Sequence, residues 1–409
     1  MRVTLVVNSF NEGSETFLHT LAAQLVDLGH ELTVHALLGG RTTMVSGARF
    51  DDGAGLCRSS ALPAVRSSGF PRAAARLVGA EPRAVVDAAR RSVAHFGPGW
   101  RAVRAAMLAA PLLGTRPDVV HVTFSGIGLA LLDALEVLEP TTRLVVSCRG
   151  SGELVAPVLD PSVRAALARL LRRADAVHAV ADVVAAAAVD TGADPSSVHV
   201  IRPAVDLERF TRDRPRPLRS GPAQVVTVAR LHWVKGIELQ LAAAARLLAR
   251  GHDFQWVVVG GGPEQAPLEL RTRWMGLDGV VEFVGARPPD EVRDLLHSAD
   301  VFVLSSWSEG TANSVLEAMA LEVPVVSTAS GGMGELLADG VDSMVVATGD
   351  AGSLADAVER MIKQPELAAG LAAAGCRKVS GGYTLDRQSA QWGDLYRALG
   401  ASTSRAGRD

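Results

Sequence analysis

Short apolar, β-branched runs alternate with longer alanine- and leucine-rich amphipathic stretches along this chain, and the alternation occurs twice over. The short runs have strand length and are bounded by turn residues. The long ones repeat at the helical period, with one apolar face. In the first half strands are expected at Val3–Val7, Glu31–Ala36, Val119–Val122, Leu144–Ser147, Ala176–Val180 and Val198–Ile201, with helices such as Thr16–Leu28 and Ser162–Arg172. In the second half they are expected at Gln224–Val228, Gln255–Val259, Val281–Phe283, Val301–Leu304, Val323–Ser327 and Ser343–Val346. Helices there include Ile237–Arg250, Pro289–Ser298, Ser314–Ala320, Gly334–Ala338 and Ser353–Lys363. Strands separated by helices pair in parallel, and a parallel sheet is covered on both faces. The pattern predicts an α/β chain of two doubly wound, Rossmann-like domains. Its 409 residues agree, since single cores rarely grow beyond about 250–300 residues.

The boundary is expected within 205–222, where Thr211–Pro222 reads TRDRPRPLRSGP, rich in Pro and Arg and without apolar periodicity. The domains are then 1–205 and 206–382, with the last helix at Asp386–Leu399 and an unstructured tail at 400–409, which lacks an apolar anchor. A net charge of −3 argues against a general nucleic-acid binder. Cys57, Cys148 and Cys376 are widely spaced, form no ligand cluster and read as reduced thiols. The N-terminus lacks a signal-peptide pattern and no apolar run is long enough to span a bilayer. The expected location is therefore the cytoplasm. Residues 66–104 carry eight arginines against Glu81 and Asp87. They read either as a solvated helical insertion or as a basic surface for the inner face of an anionic membrane or an anionic acceptor.

The chemistry concentrates in a few loops. Glu309-Gly310-Thr311-Ala312-Asn313-Ser314-Val315-Leu316-Glu317 follows the strand Val301–Leu304. Open α/β sheets bind ligands at the carboxyl ends of their strands. Glu309 lies in the loop, without structural duty in this reading, while exposed amides at the helix start suit a phosphate. A carboxylate accepts two hydrogen bonds from a vicinal diol. Ser314-x-x-Glu317 equally fits a capping box, in which Glu317 only satisfies backbone donors. Arg230 and Lys235, in the loop after Gln224–Val228, can converge on a diphosphate, or be two surface cations. Ser330–Glu335 and Gly260–Glu264 are glycine-rich loops after strands; the latter is not a dinucleotide fingerprint, since Gln265 stands where a glycine is required. In the first half, Gly13 precedes a helix, and Cys148-Arg149-Gly150-Ser151-Gly152-Glu153 follows a strand. His121 reads as a packed, hydrogen-bonded strand residue.

These segments together resemble glycosyltransferase family 4, the retaining enzymes of GT-B fold. The resemblance rests on ARLHWVKG (229–236), VVGGGPE (258–264), FVGARPPDEV (283–292) and ADVFVLSSWSEGTANSVLEAMALEVPVVSTASGGMGELLADG (299–340). SETFLHTLAAQLVDLGHELTV (14–34), PDVVH (117–121) and SCRGSGE (147–153) extend it into the first half. It implies two domains facing across a cleft, with the segment Tyr383–Leu399 crossing back to the first, acceptor-binding domain. It implies a nucleoside-diphosphate sugar, UDP- or GDP-hexose, as donor, no cofactor, and a hydroxyl-bearing small-molecule, lipid-linked or cell-envelope glycan acceptor. Arg230 and Lys235 would hold the diphosphate, Glu309 would face the sugar and Glu317 the ribose. Gly13, Gly310, Thr311, Ala312 and Asn313 would approach the donor, and Val284, Gly285 and Ala286 would lie near the base. Arg149 stands where many members carry histidine, and pairing with a carboxylate or phosphate is its expected role. The absence of a D-x-D sequence predicts transfer without metal. A sugar-nucleotide epimerase or hydrolase, an NAD-dependent oxidoreductase and a non-catalytic nucleotide-sugar sensor are the competing readings.

Overall fold

The structure, a computed structural model, describes residues 1–8, 16–36, 48–51, 82–212 and 221–406. The chain divides into two units, Met1–Ile201 with Ser389–Asp409, and Arg202–Gln388.

The first unit holds seven parallel strands: β1 (Arg2–Val7), β2 (Glu31–Ala36), β3 (Ala48–Asp51), β4 (Val119–Val122), β5 (Arg143–Cys148), β6 (Ala176–Ala179) and β7 (Val198–Val200). Their order is β3-β2-β1-β4-β5-β6-β7, so the chain reverses direction across the sheet between β1 and β4. Side chains alternate between two cores. Val3, Leu5 and Val7 pack with Leu18, Leu25 and Tyr396, while Val6 joins Val120, Val146 and Leu170 on the other face. This two-sided burial is why the strands read as continuous apolar runs.

The last helix, Leu385–Ala406, passes into the first unit at Ser389 and seals one of these cores with Trp392, Leu395, Tyr396 and Leu399. It continues through residues expected to lie in an unstructured tail, so order extends beyond Leu399 to Ala406. A buried polar chain runs beneath it. Tyr396 Oη meets His121 Nδ1 at 2.9 Å, His121 Nε2 meets Ser147 Oγ at 2.8 Å, and Ser147 Oγ meets His178 Nδ1 at 2.8 Å. His178 Nε2 ends the chain on the Ile201 carbonyl at 2.9 Å. His121 is the packed strand histidine its sequence context predicts. Burial pushes its pKa down to about 3, and holds His178 well below the ordinary range. Tyr396→Phe strands one ring nitrogen of a neutral, buried imidazole. We expect a loss of about 1–3 kcal/mol of stability, read as a lower urea midpoint at unchanged slope.

The second unit holds six parallel strands: β8 (Ala223–Val228), β9 (Phe254–Val259), β10 (Val281–Gly285), β11 (Val301–Leu304), β12 (Val325–Thr328) and β13 (Met344–Val346). Their order is β10-β9-β8-β11-β12-β13. The unit begins at Arg202, ahead of the Pro/Arg-rich stretch expected to link the domains. Two apolar anchors explain the shift: Val205 and Phe210 are buried in this unit's core, and Val205 bridges to Thr384. Arg212 pairs with Glu322 at 2.6 Å. Residues 213–220 of the stretch lie outside the described residues.

Candidate functional site

The second unit's chain starts at β8, builds outward through β9 and β10, then returns to the other side of β8 as β11. The loops leaving β8 and β11 therefore diverge to opposite faces, opening the switch-point crevice in which open α/β sheets bind ligands. Lys235 lies in the first of these loops and Glu309 in the second.

The β8 loop is held by backbone contacts that only glycine permits. A Cβ on Gly260 would stand 1.9 Å from the Ala229 carbonyl oxygen, and one on Gly262 would stand 2.2 Å from that of Leu231. The Leu231 amide donates to Gly261 O at 2.9 Å, and the Gly260 amide to Gly285 O at 2.9 Å. The glycines of 260–262 thus brace the loop carrying Arg230, a role not evident from their pattern alone. The loop then forms a 3-10 turn, Trp233–Lys235, closed by Gly236 in the left-handed region at φ 61°. Any side chain there would strike the Ser305 carbonyl at 2.2 Å. Gly236 therefore sets how closely the Lys235 turn packs on the β11 loop. Ser305 Oγ donates to Gly236 O at 2.8 Å, and the Trp307 amide to Val234 O at 2.8 Å.

The stitched loops bring Lys235 Nζ into an ion pair with Glu309 Oε1, which also accepts from Ser306 Oγ at 2.7 Å. The Lys235 side chain is 18% exposed and that of Glu309 9%. The Glu309 carbonyl accepts from the Gly332 amide at 3.0 Å, tying in the glycine-rich loop after β12. Glu309 was expected to be a loop residue without structural duty. The structure corrects this: its carboxylate is the counter-ion of a half-buried lysine, because the switch point places the two loops side by side. The Arg230 side chain is exposed and has no hydrogen-bond partner among the described residues.

The helix after Glu309 starts at Asn313, with Ala312 at its N-cap and no side-chain cap. Ser314 and Glu317 both lie inside the helix, so the capping box that their spacing allows does not form. Ala312 and Gly310 are buried, and Gly310–Asn313 lead into a helix start whose N-cap residue offers no side-chain cap. Glu317 is partly buried, and its carboxyl has no hydrogen-bond partner among the described residues. Burial pushes its carboxyl up to about 7, and the nearby Arg209 guanidinium offsets only part of this. Val284 and Gly285 end β10, with Gly285 at φ 74° and its carbonyl on Gly260.

In the first unit, Gly13 lies outside the described residues. Arg149 follows β5, and its guanidinium stands 3.9 Å over the Phe17 ring while Nε donates to Thr123 O at 3.0 Å. Expected to meet a carboxylate or phosphate, it is engaged by a ring and a carbonyl. Glu153 caps this loop, accepting the Arg149 and Gly150 amides at 3.0 and 2.9 Å. Among the described residues no cluster of His, Cys, Asp or Glu is arranged to hold a metal ion. None of their helices is long and apolar enough to cross a membrane.

Comparison with known proteins joins both units to one group. Residues 11–209 match the model for Glycosyltransferase Family 4, and residues 209–377 that for Glycosyl transferases group 1. The chain is 28% identical over 370 residues to a putative colanic acid biosynthesis glycosyltransferase of Salmonella typhimurium, covering 87% of this chain and 89% of that protein. It is 34% identical to a D-inositol 3-phosphate glycosyltransferase of Frankia alni, over 46% of this chain and 50% of that one. An amylovoran biosynthesis glycosyltransferase of Erwinia amylovora is 24% identical over 88% of this chain and 90% of its own length. Among solved structures, HepE of Anabaena, in complex with UDP and glucose, superposes with a TM-score of 0.72 over 97% of this chain and 100% of its own, at 16% identity. A sucrose-phosphate synthase of Thermosynechococcus elongatus gives 0.73 over 98% and 100%, at 19% identity. At such identities the likeness is one of fold.

Proposed function

From the premise that the chain belongs to glycosyltransferase family 4, with the GT-B fold, we propose that it moves a hexose from a nucleoside-diphosphate sugar to a hydroxyl of a cell-envelope glycan or its lipid-linked precursor, with retention. Glycosyl transfer itself follows from the family. The donor class is supported by the site and by the UDP and UDP-glucose in related structures. The acceptor class is supported by two relatives, glycosyltransferases of colanic acid and of amylovoran biosynthesis.

The observation that carries the reading is the Lys235–Glu309 pair at the switch point, beside an uncapped helix start and the unpaired Glu317 carboxyl. Breaking the bond from the anomeric carbon to the diphosphate oxygen leaves negative charge on the diphosphate and positive character on the sugar. Arg230, Lys235 and the amides of the helix start Asn313–Ala320 neutralise the first. The acceptor oxygen bonds to the anomeric carbon on the face the diphosphate leaves, and its proton passes to a leaving phosphate oxygen. Glu309 orients the sugar and Glu317 takes the ribose hydroxyls. No metal is assigned to the leaving group, because D-x-D is missing from the sequence.

The test is nucleotide release from UDP-glucose together with mass spectrometry of the acceptor, for the parent chain and Arg230→Ala. Arg230 is exposed and unpaired among the described residues, so its loss should leave the melting temperature unchanged. The donor KM should rise by roughly ten- to a hundred-fold, the worth of a charge-assisted contact. EDTA should leave the rate unaltered. Activity abolished by EDTA and restored by Mn²⁺ or Mg²⁺ would refute the assignment of the leaving group to protein cations. Nucleotide release without a glycosylated product would favour a hydrolase.

A further inference from the structure

The helix Pro82–Phe96 is joined to the helix Trp100–Gly114 by a turn through Gly97 and Gly99, and the two pack on each other in the first unit. One side of the first helix is anchored: Ala84, Val85, Ala88, Ala89 and Phe96 pack into the core. The other side is built from Arg83, Val86, Arg90 and Val93, whose spacing of three, seven and ten residues places them on one stripe. Val86 is 50% exposed and Val93 47%, and the next helix opens with Trp100, 70% exposed, and Val103, 43% exposed.

Four of the segment's arginines divide into two classes that sequence alone does not separate, while Arg104 is half-buried. Arg91 is neutralised by Asp87 at 2.9 Å and Glu139 at 3.5 Å, and Arg101 by Asp133 at 2.8 Å. Arg83 and Arg90, on the apolar stripe, have no carboxylate within reach among the described residues. Arg66, Arg72 and Arg76 lie outside them. A solvated helix gains nothing from valines beside free guanidinium groups, and a soluble polyanion gives an exposed tryptophan nothing to enter. A bilayer of anionic lipid satisfies both. Phosphates meet the guanidinium groups, while valine and indole side chains enter the interfacial layer.

We propose that the helix hairpin 82–114 docks the protein peripherally on an anionic phospholipid bilayer, through Arg83, Val86, Arg90, Val93, Trp100 and Val103. The surface belongs to the first unit and does not depend on the transfer reaction. It would hold the enzyme at the membrane where a lipid-linked acceptor resides.

The experiment is co-sedimentation of the full chain, without donor, with vesicles of phosphatidylglycerol and phosphatidylcholine, and with vesicles of phosphatidylcholine alone. Binding is expected to the anionic vesicles, at least ten-fold weaker to the neutral ones, and lost in high salt. Each removed arginine should weaken it by about five-fold. The double variant Arg83→Gln/Arg90→Gln should therefore lose about twenty-five-fold, and Trp100→Ser a comparable amount, with melting temperatures unchanged because all three side chains are exposed. Equal binding to both vesicles, no binding, or variants that bind like the parent would overturn the proposal. So would displacement by a soluble polyanion combined with no effect of Trp100→Ser, which would mark an anionic-glycan site. Turnover of UDP-glucose without vesicles is read separately, so failure here and failure of the transferase reading are distinct results.

Discussion

Replacing Glu309 by glutamine should lower the rate of sugar transfer by roughly a hundred- to a thousand-fold, the range found when one preorganised electrostatic group is removed from an active site. The structure adds a consequence for stability. Glu309 is the counter-ion of Lys235, and both are largely buried. Breaking a fully buried pair typically costs about 3–5 kcal/mol. Here Lys235 keeps some water contact and Ser306 still donates to the side-chain oxygen, so about 2 kcal/mol is expected for Glu309→Gln. Lys235→Ala strands the more buried carboxylate and should cost about 3 kcal/mol, while weakening the donor by roughly ten- to a hundred-fold. The double variant Lys235→Met/Glu309→Gln removes both charges. It should recover most of the melting temperature and none of the activity. Thermal melts and donor kinetics on the three variants separate the two duties. A double variant as unstable as either single would show that packing, not charge, holds these loops together. A Glu309→Gln enzyme with parental kcat would remove Glu309 from the sugar site.

That pair also marks the limit of what the residue pattern reveals. Glu309 and Lys235 are 74 positions apart, and no local periodicity encodes their contact. What brings them together is strand order, with β8 and β11 adjacent at the sheet's reversal. The strands themselves were legible to within about two residues, because burial on both faces writes them as apolar runs. β3 was not: Ala48–Asp51 reads ARFD, an edge strand with too little apolar character to stand out. The helix Pro365–Gly382 was hidden by four glycines. One of them is structural: a Cβ on Gly375 would lie 3.0 Å from Met319 Cε and 3.2 Å from the Asp342 carbonyl, so small size there allows close packing. The second unit begins at Arg202 rather than at 206, because the burial of Val205 in its core carries the preceding residues with it. The capping-box pattern at Ser314 and Glu317 failed for a simpler reason. The helix starts at Asn313, one residue before the presumed cap.

The freed Glu317 carboxyl should make donor binding depend on pH near neutrality. Burial raises its pKa from 4.5 to about 7. Below pH 4.5 both folded and unfolded chains hold the proton, and this group's contribution to stability is fully present. Between 4.5 and 7 the unfolded chain has released its proton while the folded chain retains it, so stability falls as pH rises. Above 7 both are ionised and the loss is complete. The full shift corresponds to about 3 kcal/mol, and the residual water contact of the side chain brings the expectation to about 2 kcal/mol. Glu317→Gln has no proton to lose, so it should be flat across this window and more stable than the parent above pH 7. In the proposed site ribose hydroxyls donate to the ionised carboxylate, so binding would draw that form out. Affinity for UDP-glucose should therefore rise as pH passes through about 7, with a proton released on binding at lower pH. The sugar diphosphate carries no phosphate that ionises near neutrality, which makes it a cleaner probe than the free diphosphate. Calorimetry from pH 5.5 to 8.5 in buffers of different ionisation enthalpy reads both quantities. Glu317→Gln should bind roughly ten- to a hundred-fold more weakly at the alkaline end, with no proton release. If the parent and Glu317→Gln bind UDP-glucose equally at every pH, the carboxyl does not meet the ribose, and its raised pKa is a property of burial alone.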